Sequence, residues 1–391
     1  MLIENDGFPS DTRVSSEART LVSAGYKVSV ICPQFHGQRL FEVIDSIAVY
    51  RYPLPKQPAG LLGYFIEYSY SLIVMFITSL IVFIREGFDV IHAQNPPDFL
   101  FLIGLFYKPF SKKFIFDHND LTPELYLSRF SNRKLALSIL LLLEKLSCQF
   151  ADVVITTGKA YEQLEISRDK ISPKKIVLVR NSPDLSRIKN IQLNKKRHRV
   201  EQETKLGFVG YLGPQDGADL LLKSLYHLVY ELGRQDFHCL LIGDGEMLDE
   251  LRKSAQEMEI DQFITFTGRL PWDKAMKMLS DVDICLEPNP SSPLNDKTMT
   301  VKVFEYMALQ KPIVAYSLPE LLSQIKGAAL FVGNNDAFEF ASKIVQLMDN
   351  KKLQESMGAA GRKKMETELN WEHSAANLLQ AYKKLLKRRV R

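Results

Sequence analysis

The stretch LNDKTMTVKVFEYMALQKPIVAYSLPE, Leu294 to Glu320, runs a polar loop, a helix and a buried strand in immediate succession. Thr298 or Thr300 serves as N-cap for the helical pattern VKVFEYMAL, in which Phe304, Met307 and Ala308 fall at i, i+3 and i+4 on one apolar face. Lys302 and Glu305, three residues apart, share the other face. Lys311-Pro312 stops the helix, and Ile313-Val314-Ala315-Tyr316 reads as a buried strand. A helix that opens from a polar loop presents unpaired amides with partial positive charge, a ready anion site. A cation and a carboxylate one turn in suit a ligand carrying both phosphate and sugar hydroxyls. Spacing alone favours a plainer reading, a surface ion pair on a connecting helix, because such pairs are common and weak.

Working outward, the second half repeats strand, turn and helix. Leu206 to Gly210 is a strand that enters the turn YLGPQDGADLLLKSL, where Gly210, Gly213 and Gly217 permit close backbone approach to a phosphate. The spacing is not G-x-G-x-x-G, so a dehydrogenase-type nucleotide site is not supported. Strands follow at His238 to Ile242, before Gly243-Asp244-Gly245-Glu246, at Phe263 to Gly268 and at Asp283 to Glu287. Asp281-Val282-Asp283 has the D-x-D shape of metal-dependent sugar transferases; one aspartate ends a helical pattern and the other opens an apolar strand, so the match is read as accidental.

The first half has the same grammar. A helix from Ser16 to Ala24 leads to the strand Lys27 to Cys32, with further strands at Ile47 to Arg51, Asp89 to His92, Lys113 to Phe116, Ala151 to Thr156 and Ile176 to Val179. Ligands bind at the C-terminal ends of such strands, here Asp6 to Arg13, Gln94 to Asp98, Asp117 to Glu124 and Asn181. His92 and His118 read as hydrogen-bonded structural residues. Asp117, Asp120 and Glu124 form an acidic cluster that suits hydrolytic acid–base work if its members converge, and helix capping at Asp120 to Glu124 if they do not. Tyr68 to Ile84 is uncharged and near the lower length limit for a membrane span. Spanning would put the first βαβ unit across the bilayer from its own sheet, so the competing readings are a helix buried against the sheet and one on a membrane surface with Lys56 and Arg85 at its ends, each using a different face.

At 391 residues two domains are the natural expectation: 1–185, a polar linker 186–205, 206–372, and a C-terminal helix with a basic tail, 373–391, crossing back to the first domain. With 46% apolar and 25% charged residues the chain is globular, and a net charge of +4 argues against a dedicated nucleic-acid binder. Basic clusters at Lys195 to Arg199 and Lys383 to Arg391 are solvated segments or attractors of anionic lipid. Four isolated cysteines without metal spacing, and no secretory signal at Met1 to Arg13, point to the cytoplasm.

The segments FPSDTRV, DVIHAQNPPD, FDHNDLTPELYLSRF, FVGYLGPQDGADLLL, LIGDGE, FTGRL, NDKTMTVKVFEYMALQKPIVAYSLPE and the late Trp371 together resemble family-four retaining glycosyltransferases, in particular the bacterial exopolysaccharide and lipopolysaccharide branch. The resemblance covers nearly the whole chain and implies the GT-B fold, two doubly wound Rossmann-like α/β domains facing across a cleft. It implies a nucleotide-diphosphate sugar donor and a lipid-linked or oligosaccharide acceptor, with the enzyme peripheral on the inner face of the cytoplasmic membrane. Glu305 would hold the ribose, Gly268 to Leu270 would flank the base, and Lys302 with the Thr300 helix start would meet the diphosphate. Gly210, Gly213 and Gly217 would lie over the phosphates, Arg269 adds a cation, and Asn295 and Asp296 would face the sugar. Arg13, Asn95, Asp98, Asn119, Asp120 and Glu124 would form the acceptor side, Asn119 and Asp120 nearest the chemistry. Stabilising charge on the leaving diphosphate requires neither a metal nor another cofactor.

Three departures stand out. The family's paired glutamates lie eight apart, and eight before Glu305 is Lys297. Tyr211 and Asp216 stand where many members carry a diphosphate-clamping Arg and Lys, and Gln310 takes a place commonly held by Gly. The alternatives are a GT-B-like nucleotide-sugar epimerase, which would convert donor without acceptor, and a non-catalytic subunit of a glycan-assembly complex.

Overall fold

The computed structural model describes residues 1–35, 37–55, 61–130, 134–189, 203–333 and 335–387. The basic cluster at 195–199, most of the expected linker, Lys56 and the last four residues of the basic tail lie outside the described residues. The chain divides into two compact units, one formed by Met1–Asn181 with Glu372–Arg391 and the other by Ser182–Trp371.

The first unit begins with α1 (Thr12–Ser23), β1 (Ser29–Gln34), β2 (Phe41–Ile44), β3 (Ile47–Pro53) and α2 (Leu61–Arg85). It continues with β4 (Val90–Gln94), α3 (Phe101–Tyr107), β5 (Lys113–His118), α4 (Thr122–Arg129), α5 (Lys134–Phe150), β6 (Val153–Thr156), α6 (Lys159–Ser167) and β7 (Ile176–Leu178). Its strands pair as β1-β3-β2 and β4-β5-β6-β7, all parallel except β2 with β3. Leu2 bridges in parallel to both Ile31 and Ala93, so the chain start joins the two sets of strands. Sequence patterning missed β2, a short edge strand that exposes Phe41 and Val43 and so lacks the apolar signature of a buried strand.

The second unit starts earlier than expected, with α7 (Leu185–Lys189). Leu185 and Ile188 are buried in its core, so the start of the expected linker is packed helix. Then come β8 (Thr204–Val209), α8 (Ala218–Tyr230), β9 (Phe237–Ile242), α9 (Leu248–Glu257), β10 (Ile264–Gly268), α10 (Trp272–Ser280) and β11 (Ile284–Glu287). After α11 (Val301–Ala308) and β12 (Ile313–Tyr316) the unit ends with α12 (Pro319–Ile325), β13 (Ala329–Val332), α13 (Ala337–Met348) and α14 (Lys351–Lys364). The final helix, α15 (Trp371–Lys387), packs on the first unit, where Tyr382 bonds His92 Nδ1 at 2.9 Å and Asn377 donates to the Leu178 carbonyl.

The second sheet has the order β10-β9-β8-β11-β12-β13, every pair parallel. Leu206, Phe208, Leu241 and Leu286 point to one core, and Ile242, Cys285, Ile313 and Ala315 to the other, as strands covered on both faces require. The order reverses between β8 and β11, a switch point that opens a crevice at the carboxyl ends of those strands. Helix α11 is buried along nearly its whole length, Lys302 and Glu305 included, so the surface ion-pair reading fails.

The stop of α11 explains the third departure. Gln310 sits in the left-handed region at φ 60, where families usually place Gly. A side chain there costs on the order of 1 kcal/mol. Gln310→Gly is therefore expected to stabilise the chain by roughly 0.5–1 kcal/mol, read as a raised urea midpoint at unchanged slope; an unchanged or lowered midpoint would show that the Gln310 side chain recovers its strain through contacts.

Candidate functional site

The carboxyl edge of the second sheet is built from two glycine turns and the loop before α11. Gly217, at φ 69, closes the first turn, and a Cβ on it would meet the Pro288 carbonyl oxygen at 1.9 Å. Gly243, after β9, is equally constrained, since a Cβ there would lie 1.8 Å from the Gly210 carbonyl oxygen. The glycines thus seat the turns on one another and on the loop after β11. Beside them is a cavity of about 650 Å³ lined by Gly210, Tyr211, Gly243, Gly245, Arg269 and Leu270, among others. Arg269 is exposed at its edge.

Lys302 lies against Gly210 of this lining. Its ammonium donates to Asn289 Oδ1 at 2.7 Å, pairs with Glu287 at 3.3 Å and Asp216 at 3.6 Å, and lies 4.5 Å over the Phe208 ring. Its Nζ is 3.6 Å from where a Cβ on Gly210 would stand. Thr300, the N-cap, turns its hydroxyl to Glu287 at 3.0 Å rather than capping α11 with it. Burial pushes the Glu287 carboxyl up, against the opposing pull of Lys302 and Thr300. Asp216, where a diphosphate cation was expected, is instead an anion that helps to fix the cation supplied by α11.

Glu305, one turn on, looks elsewhere. Trp272 Nε1 donates to its Oε1 at 2.6 Å, and Arg187 of α7 stacks 4.2 Å over the Trp272 ring. Burial pushes Glu305 up to about 7, tempered by the Trp272 bond and the charge of Arg187. A carboxylate half-ionised near neutrality and held by an indole suits hydroxyl recognition. Sequence reading missed Glu287, Asn289, Trp272 and Arg187. Glu287 lay in an expected strand whose end is the crevice, and Trp272 stands two residues after the Gly268 to Leu270 segment, so both carried a positional signal.

Other expected donor residues are bonded within the loops around α11. Asn295 donates to the carbonyls of Gln215 and Pro290, both at 2.8 Å, tying the loop to the glycine turn. Asp296 accepts from Ser291, and Lys297 donates to the Pro293 carbonyl. Gly213 and Gly217 shape the turn. Asp283 accepts from the Lys205 amide at the opposite end of β11 from Glu287, away from the crevice, in keeping with an accidental D-x-D match.

In the first unit, Asn95 organises the carboxyl ends of β4 and β5. Its Oδ1 accepts from the amides of Asn119 (2.7 Å) and Asp120 (3.0 Å), and its amide donates to Asp98 (2.7 Å) and the Asp120 carbonyl (2.6 Å). Asn95 and Asp98 are buried, whereas Asn119 and Asp120 are part-exposed. Burial pushes Asp120 up to about 6, with His118 opposing. Arg13, expected on the acceptor side, is buried: it holds Asp117 through two bonds at 2.8 and 2.6 Å and donates to the Val179 carbonyl. Glu124, likewise expected there, pairs with Arg168 at 2.7 Å. The acidic cluster does not work as one group, since Asp117 is spent on Arg13 and Glu124 on Arg168, and Leu121 rather than Asp120 is the N-cap of α4. His118 lies between Glu165 at 3.0 Å and Glu144 at 3.7 Å; burial alone would lower it, but the two carboxylates hold it well above the usual histidine range.

Removing Lys302 leaves Glu287 buried without its cation. Lys302→Ala is expected to cost roughly 3–5 kcal/mol in chemical denaturation, and Glu287→Gln added to it should recover part of that loss. Strict additivity of the two changes would refute the coupling.

Residues 11–187 match the family model described as Glycosyltransferase Family 4, and residues 190–364 match that of Glycosyl transferases group 1. A GDP-mannose-dependent monoacylated alpha-(1-6)-phosphatidylinositol monomannoside mannosyltransferase of Corynebacterium glutamicum is 28% identical over 178 residues, 44% of this chain and 45% of that protein. The chain spans about half the length of several curated relatives that it matches. Among solved structures, sucrose-phosphate synthase from Thermosynechococcus elongatus superposes with a TM-score of 0.78 at 19% identity, covering 98% of this chain and 95% of that one. Anabaena Alr3699/HepE in complex with UDP-glucose gives 0.71 at 14% identity, covering 98% and 99%.

Proposed function

We propose that this chain, which carries a glycosyltransferase family 4 domain and a glycosyl transferases group 1 domain on the GT-B fold, transfers a sugar from a nucleotide-diphosphate donor. The acceptor is lipid-linked or a saccharide in cell-surface polysaccharide synthesis, and transfer retains the anomeric configuration. The observation that carries the reading is the cavity at the carboxyl edge of β8, β9 and β10, with Arg269 at its edge and the Lys302 ammonium against Gly210. Lys302, Arg269 and the first amides of α11 stabilise the diphosphate as it leaves, which requires no metal. Glu305, fixed by Trp272, accepts from the ribose hydroxyls. Asn119 and Asp120 receive the acceptor. A neighbouring fold with UDP-glucose bound, and relatives named as mannosyl- and glucosyltransferases, support a nucleotide sugar as donor. The work is done in the cytoplasm, at the inner membrane face where the acceptor is lipid-linked.

Incubation with a panel of nucleotide sugars and membrane acceptors is expected to release nucleoside diphosphate, undiminished in EDTA, and NMR of the product should show the donor's anomeric configuration. Donor conversion without acceptor would favour an epimerase, and no release with any donor would favour a non-catalytic subunit.

Hydroxyls donate better to an ionised carboxylate, so donor affinity should rise with pH through about 7, the value to which burial pushes Glu305. Calorimetry at pH 6 should find binding weaker by about tenfold than at pH 8. Glu305→Gln should flatten that dependence; an equally steep profile in the variant would remove Glu305 from donor recognition.

A further inference from the structure

Among the described residues, the outer face of α2, α3 and α5 has no partner in the first unit. Along α2 the isoleucines 66, 73, 77, 81 and 84 are exposed, Ile73 by 60% and Ile84 by 80%, while Ser71, Met75, Ser79 and Val82 of the same helix are buried. Helix α5 repeats the pattern with Leu135, Ile139, Leu142 and Leu146, and α3 adds Leu102, Leu105 and Phe106. The three helices are contiguous. Phe76 of α2 packs on Phe106 at 4.9 Å between ring centroids, and Phe101 of α3 on Phe150 of α5 at 6.0 Å. Soluble surfaces rarely leave so many neighbouring aliphatic side chains in water.

Charge selects the occupant. The carboxylates on these helices, Glu67 and Glu144, are buried at 7% and 0% exposure. The cations that edge the face, Arg85, Lys108, Lys134 and Lys145, reach solvent wholly or in part. Lys108 leans on Asp152 at 3.5 Å, and Asp89, just past α2, is held by Lys112 at 3.6 Å. An apolar face with a cationic edge is the signature of an element lying in a lipid interface. A second copy seated face to face would set like charges against one another.

We propose that this face docks the first unit on an anionic lipid bilayer, with the exposed isoleucines of α2 and leucines of α5 entering the headgroup boundary. Helix α2 lies on the membrane and does not cross it, because its other face is committed to β1 and β3 and to the Ser71–Glu4 hydrogen bond. The inference rests on the lipid-linked-acceptor reading above for its use, but vesicle binding tests it without any donor.

The full chain should float with vesicles of phosphatidylcholine and phosphatidylglycerol, and about tenfold or more weakly with phosphatidylcholine alone. Ile77→Glu combined with Leu142→Glu should lose at least tenfold in vesicle binding while keeping its far-UV spectrum and its affinity for UDP. If that variant fails to fold, Ile77→Trp decides: brominated lipid should quench its added fluorescence beyond the wild-type level. Equal flotation on neutral vesicles, no added quenching in the Ile77→Trp variant, or full binding by the folded double variant would overturn the proposal, the last assigning attraction to the basic segments at 195–199 and 383–391. A dimer in sedimentation that Ile77→Glu dissociates would do so too, in favour of a second copy. Failure of the wild type to bind any of UDP, GDP, ADP and TDP would count against the donor reading and leave the surface standing.

Discussion

A lysine ammonium with 7% of its surface exposed is tolerable only because three chain segments meet it. The end of β11 contributes Glu287 and, just beyond, Asn289; the glycine turn contributes Asp216; and the Phe208 ring closes the underside. Each partner is placed by a separate rule of the fold. Glu287 is the last residue of a buried parallel strand, Asp216 rides on a turn whose path Gly217 allows, and Lys302 sits in the first turn of α11. Taking such charges out of water costs several kcal/mol per ion unless each is met, so the loop, the turn and the helix are fixed together. The same constraint fixes the glycine turn beside the cavity.

That arrangement resolves the altered clamp. A cation supplied by the glycine turn would stand alone on a loop, whereas here the turn supplies an anion and the helix supplies the cation. The departure at Asp216 is thus an exchange of charge between neighbouring segments.

How much of this was legible in advance differs by kind of signal. The succession of apolar strands and turns was readable because buried parallel strands have no alternation to hide, and β12 ends where the pattern put it. Edge strand β2, which exposes alternate residues, was not readable, and neither was β13, where only Ala329 and Val332 are buried. Pairing between charges was the least legible. Lys302 and Glu305 look like partners in sequence, yet one turns to Glu287 and the other to Trp272, because tertiary neighbours outbid an i,i+3 contact worth a few tenths of a kcal/mol. Arg13 and Glu124 are likewise paired within the first unit, with Asp117 and Arg168. Position at a strand end marks where polar groups gather, and most of them gather to neutralise one another.

The apolar run in α2 shows the limit of composition from the other side. Its length and lack of charge are compatible with crossing a membrane, with a core or with an interface, and hydropathy cannot separate the three. What separates them is which residues repeat every fourth position. Serines 71 and 79 fall with Met75 and Val82 on the face against the sheet, where hydroxyls find Glu4 and Tyr107, while the isoleucines face outward. A helix serving only as core would place its polar residues outside. This one reverses the order: its buried face carries the hydroxyls and its exposed face the isoleucines.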